Sequence, residues 1–117
     1  MVSKKVMERS KKEIYSVDPF QLLWTDRNKL GKVQVQGKSS KSWLVWEHTT
    51  PLNEFYKTLT ECKSEKDVEN SMKKYSGVCW ISRDEDNALN AKKYRSRRPG
   101  GWQKCYEECS IEIVKLI

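Results

Sequence analysis

The densest chemistry in the chain lies in Lys92-Lys93-Tyr94-Arg95-Ser96-Arg97-Arg98-Pro99-Gly100-Gly101-Trp102-Gln103-Lys104, where six bases stand without an acid. Guanidinium groups fork onto phosphate oxygens, and aromatic faces such as those of Tyr94 and Trp102 stack on bases. Gly100 and Gly101 let the backbone approach a ligand closely, just ahead of a helix whose first amides can face an anion. The segment therefore reads as a nucleic-acid-binding loop built from Lys92, Lys93, Tyr94, Arg95, Arg97, Arg98 and Lys104. Lys38, Lys41 and the N-terminal lysines extend the patch in this reading. A plainer alternative is a solvated loop whose aromatics turn inward. Trp102 fits that alternative, because it shares a helical stripe with Cys105, Tyr106 and Cys109.

The chain has one histidine, His48, directly after Glu47 at the end of an expected strand. A strand-end acid–His pair can ligate a metal and act as general base in a nuclease. Glu47-His48-Thr49-Thr50-Pro51-Leu52 resembles the first motif of the HNH endonucleases, an acid–His pair followed by an apolar–Pro turn. The resemblance implies metal-dependent cleavage through Glu47 and His48. That family completes its site with a loop Asn, a second strand and a helical His or Asn. Here Pro51 opens a helix at once, no second His exists, and neither Asn53 nor Asn70 stands at the family's spacing. The competing role is a polar pair that closes a strand.

The cysteines are Cys62, Cys79, Cys105 and Cys109. Structural zinc usually takes two close pairs, and only Cys105-x₃-Cys109 is close, on an expected helix. Both thiols lie on the apolar stripe with Trp102, so core packing is expected and no metal is assigned. Asp84, Glu85 and Asp86 fall in the first turn of a helix, where acids complement the dipole. No Walker or Rossmann phosphate loop, nucleophile elbow or EF-hand loop is present, so no cofactor is expected.

Lys+Arg number 23 and Asp+Glu 16, a net charge of +7, which draws the chain toward polyanions: nucleic acid or an acidic protein surface. With 117 residues, a single domain is expected over 1–117, residues 1–16 forming a peripheral arm or helix. No apolar run is long enough to span a membrane, and the basic start lacks an apolar h-region, so cytoplasmic residence with reduced thiols is expected. Three functions fit: a nucleic-acid-binding accessory protein, a regulator or inhibitor docking on a partner through the same Trp/Arg surface, and the HNH-like nuclease. A binding protein is expected ahead of an enzyme. Small size and a Lys/Glu/Asn/Ser-rich composition suggest an accessory gene of a phage or mobile element.

The elements that must hold these residues follow from periodicity. Ser3 to Glu13 alternate bases and acids and read as a solvated helix or loose arm. Phe20, Leu22, Leu23 and Trp24 form an apolar run that needs burial. Val33–Gln36 and Trp43–Trp46 suggest a hairpin, the second run apolar on both faces and hence a central strand. Leu52, Phe55, Tyr56 and Leu59, then Val68, Met72 and Tyr75, mark the buried stripes of two helices. Val78–Ile81 is a strand, and Ser82-Arg83-Asp84-Glu85 is a capping box for a helix to about Asn90. A helix from Trp102 and a strand over 111–117 close the chain. The order α-β-β-α-α-β-α-α-β is an α+β fold, about four strands packed against several short helices.

Overall fold

The computed structural model describes residues 1–34, 37, 39–75 (Tyr75 by its backbone only) and 77–114. The expected strand residues Val35, Gln36, Lys115, Leu116 and Ile117, and the Lys38 of the extended patch, lie outside the described residues. The fold is α+β, as expected. Among the described residues a four-stranded mixed sheet has the order Leu44–His48 (β4), Val78–Ser82 (β5), Val2–Ser3 (β1), Ile113–Val114 (β6), and Lys32–Val33 (β2) and Lys41–Ser42 (β3) form a separate pair.

Leu44–His48 (β4) and Val78–Ser82 (β5) are rich in β-branched and aromatic residues, and they pair antiparallel from Leu44↔Ser82 to His48↔Val78. Side chains alternate across the strands. Leu44, Trp46 and Trp80 join one core with Val2, Val6, Leu22 and Leu30. Val45, Cys79 and Ile81 join a second with Leu89, Cys105, Tyr106 and Ile111. Both faces of the sheet are therefore covered, which explains the two-faced apolar pattern of β4. Its place does not match the expectation of a central strand: β4 is an edge, and β5 and β1 are the inner strands. Trp46 meets Trp80 edge-on at 4.7 Å, a cross-strand pair that locks this register.

The N-terminal segment also departs from the expectation of a peripheral arm. Val2–Ser3 (β1) lies between β5, to which it is parallel, and Ile113–Val114 (β6), to which it is antiparallel. Lys4–Ser10 (α1) then turns Val6 into the core, with no exposed surface left. Ser3 makes this turn possible. Its hydroxyl accepts from the Val6 amide at 3.3 Å, capping α1, and donates to Glu85 Oε1 at 2.6 Å. Glu85 belongs to Arg83–Ala91 (α4), where it accepts from the Ser82 amide at 2.9 Å while Ser82 Oγ accepts from the Glu85 amide at 3.1 Å. The expected capping box is present and serves a second purpose: it ties the first strand to the fourth helix.

Lys32–Val33 (β2) pairs with Lys41–Ser42 (β3) over two residues, so the hairpin exists but does not include β4. The chain crosses into the main sheet at Trp43, whose amide donates to Gly31 O and whose carbonyl accepts from the Arg83 amide. Leu52–Thr60 (α2) and Glu65–Tyr75 (α3) form as helices and pack against each other. Their stripes are not buried as expected: Leu52, Tyr56, Val68 and Met72 are each 41–59% exposed. The apolar run after Pro19 splits likewise, with Leu22 buried but Leu23 and Trp24 open to solvent. Trp102–Glu108 (α5) covers the second core through Cys105 and Tyr106. Among the described residues, no helix is long and apolar enough to cross a membrane.

The inner position of β1 makes a direct prediction. Val6→Ala should cost about 2 kcal/mol in urea denaturation, through lost transfer and a residual cavity. Lys5→Ala, one residue away on the exposed side of α1, should stay within about 0.5 kcal/mol. Equal, negligible effects would restore the arm.

Candidate functional site

The basic connection between α4 and α5 is anchored from inside at several points. Its start turns at Lys93, which has φ 62°, and the Tyr94 amide returns to Leu89 O at 3.0 Å. The Tyr94 ring packs on the second core and its hydroxyl donates to Glu108 of α5. That hydrogen bond, with Glu108's charge behind it, pushes the phenol up to about 12. Asn53 of α2 donates to Ser96 O at 3.2 Å. Gly100 and Gly101 have φ of 76° and 97°, the left-handed region that glycine enters freely, and there the chain reverses into α5. Trp102 then lies edge-on to Tyr106 at 5.3 Å.

The central anchor is Arg98. Its side chain is only 3% exposed and ion-pairs with Glu47 of β4. Nε donates to Thr49 O at 3.2 Å and Nη2 to His48 O at 3.4 Å, so one guanidinium closes the C-terminal end of β4. Glu47 points to this side because it alternates with Trp46 and His48 along the strand. Burial pushes its carboxyl from 4.5 up to about 7, against the opposing pull of Arg98. The folded chain thus holds that proton more tightly than the unfolded one. The stability this group contributes is full below about 4.5 and is lost as the pH rises through about 7. Around the pair, burial also pushes the Tyr106 hydroxyl well up and the Cys79 thiol up to about 12, and it raises Cys105. Arg98 Nη1 and Tyr106 Oη are buried with no hydrogen-bond partner among the described residues.

These contacts sort the expected site residues. Lys92, Lys93, Arg95, Arg97 and Lys104 are exposed, and none forms an ion pair among the described residues. Arg98 and Tyr94 are corrections: the first is consumed by Glu47 and the end of β4, the second by the core and Glu108. Trp102 also packs inward, as its helical spacing allowed. Lys41 is exposed and lies toward the Leu44 end of β4, whereas the connection meets its His48 end. The expected patch is thus spread over two cationic regions, one toward each end of β4.

Glu47 and His48 are neighbours at the C-terminal end of β4, and Glu47 is committed to Arg98. Both border a cleft of about 420 Å³ at the end of β4, with Arg95 and Asn53, but the Glu47 carboxylate faces Arg98. Among the described residues no three His, Cys, Asp or Glu side chains gather as metal ligands. Cys79 and Cys105 lie in the second core and Cys109 packs against it, as the stripe implied; Cys62 donates to Thr58 O from the end of α2.

Sequence reasoning missed a second cleft, of about 410 Å³, at the Leu44 end of β4, lined by Trp24, Arg27, Lys32, Lys41 and Arg83 among others. The available signal is Trp24 and Arg27 three residues apart, but Trp24 reads equally as the end of the apolar run Phe20, Leu22, Leu23 and Trp24 that needs burial.

Fold and geometry define a small basic α+β protein whose cationic connection is held by a buried ion pair. No protein-family model, curated protein or solved structure matches it.

Arg98→Met should destabilise the chain by about 3–5 kcal/mol in urea denaturation, because it strands a buried carboxylate. Adding Glu47→Leu should recover part of that loss. A cost below about 1 kcal/mol would remove the pair as anchor. Independently, carboxyl-carbon NMR should show Glu47 titrating near 7. A midpoint at or below 4.5 would mean that Arg98 outweighs burial.

Proposed function

We propose that this protein binds nucleic acid through the exposed cations of the α4–α5 connection. One observation carries the reading: Lys92, Lys93, Arg95, Arg97 and Lys104 have no ion pair among the described residues, on a segment pinned by Arg98 beneath it. Elsewhere Lys4, Lys29, Lys66, Lys73 and Arg83 each lie within 4.0 Å of a carboxylate. Anchoring lowers the ordering cost of presenting these charges, since less loop freedom is lost on contact. Because Tyr94 and Trp102 are half-buried against the second core, the connection offers chiefly cations to phosphates. Its contacts are of the kind that position a protein without reading sequence.

A second reading, a regulator that docks on a partner protein, is favoured by the exposed apolar stripe of α2 and α3. Leu52, Tyr56, Val68 and Met72 together offer a non-ionic surface that nucleic acid would not use. The nuclease reading has no such support: Glu47 is committed to Arg98, and no three potential metal ligands gather among the described residues.

Fluorescence anisotropy with labelled duplex and single-stranded oligonucleotides at two salt concentrations tests the first reading. Affinity should fall steeply with salt, and each phosphate contact removed should flatten the log–log slope by about 0.7–0.9. The double variant Arg95→Glu/Arg97→Glu should weaken binding at least about tenfold. Lys66→Glu/Lys73→Glu on α3, matched in charge, should do little. Binding that ignores salt, or equal losses in both variants, would count against the connection as the contact surface.

A further inference from the structure

The cleft at the Leu44 end of β4 combines features that the connection lacks. Its lining includes Arg27, Lys32, Lys41 and Arg83 but no acid. Arg83 is a fixed wall rather than a free cation, donating from Nε and Nη2 to Ser42 O at 3.1 and 2.8 Å, with Nη1 4.0 Å from Asp86. Lys32 and Lys41 form no ion pair among the described residues and are exposed. The neighbouring carboxylate of Asp26 is turned to other work: it accepts from the Leu23 amide at 2.9 Å and pairs with Lys29 at 3.3 Å.

An aromatic face is added to these charges. Trp24 is 55% exposed, a rare state for so large an apolar side chain, and the Arg27 guanidinium lies 3.9 Å from its ring centroid. Arg27 Nη1 also donates to Trp24 O at 3.4 Å, so the pair is held as a unit. A cation-backed open indole beside free lysines suits an unpaired base stacked on the ring, with the flanking phosphates on ammonium groups. Bases inside a duplex already stack on each other and cannot reach such a ring. An acidic peptide would use the lysines but gain little from the indole. Trp46 borders both this cleft and the one beside Arg95, so the two cationic regions meet along the β4 edge.

We infer that this cleft binds single-stranded nucleic acid, with an unpaired base on Trp24 and adjacent phosphates on Lys32 and Lys41. The inference rests on the nucleic-acid reading above and adds to it strandedness and a second contact region.

The test uses the full chain, a labelled single-stranded oligothymidine and a duplex of equal length. Wild type should prefer the single strand. Trp24→Ala should lower single-strand affinity on the order of tenfold or more and barely alter duplex binding. Lys41→Glu, at an exposed position that no core contact depends on, should weaken both ligands and flatten the salt dependence. It keeps the test decisive if Trp24→Ala perturbs folding. Single-strand affinity within twofold of wild type in both variants, with Arg95→Glu/Arg97→Glu still disruptive, would overturn the cleft and leave the connection standing. No binding of either ligand by wild type would remove both. Displacement by polyglutamate as effective as by oligothymidine, with no Trp24 dependence, would overturn the inference in favour of an acidic protein.

Discussion

Desolvation of the Arg98–Glu47 pair is the constraint around which this surface is organised. A guanidinium brought almost wholly out of water needs partners for its donors: Nε and Nη2 find one carboxylate and the carbonyls of His48 and Thr49, while Nη1 has none among the described residues. Those groups sit where β4 ends and the chain turns toward α2. Arg98 thus joins three parts that the sequence separates widely: the edge strand, the turn into the helical hairpin and the basic connection. The burial that makes this join specific also raises the Glu47 carboxyl to about 7, so the anchor's stabilising contribution fades as the pH rises through that value.

The same side of the fold shows how one strand can serve two regions. As an edge among the described residues, β4 pairs with β5 alone and leaves its other side for loops and side chains. The connection approaches at its His48 end and the β2–β3 hairpin at its Leu44 end. Trp46, braced by Trp80, stands between. The spacing of cations along this surface therefore follows from strand rise rather than from any local motif.

Much of the fold was legible from periodicity. The α4 capping box, the positions of α2 to α5, β5 and the core thiols were readable because caps, stripes and alternation are local signals. What escaped notice depends on long-range pairing. Val2–Ser3 is too short to alternate, and its place in the sheet is set by Trp80 and Val114. β4 looked central because both faces are apolar, yet strand order does not register in a pattern that senses only faces. In the candidate site, the density of positive charge was visible but its direction was not. Arg98 differs from Arg97 only in having a carboxylate opposite it, 51 residues away in sequence. Trp24 was misjudged because an apolar residue was assumed to need a core.

The parallel alignment of β1 with β5, and its antiparallel contact with β6, has a consequence for biosynthesis. The second residue cannot acquire its partners until Trp80 and then Val114 have been made. On a translating ribosome adding about 5–20 residues per second, the first strand waits on the order of 6–20 s for its last neighbour. During that interval Val2 and Val6 remain bare, and nascent-chain chaperones meet an opening segment whose place in the sheet is still vacant. Closure of this sheet is governed by when residue 114 emerges rather than by how fast the first residues can fold.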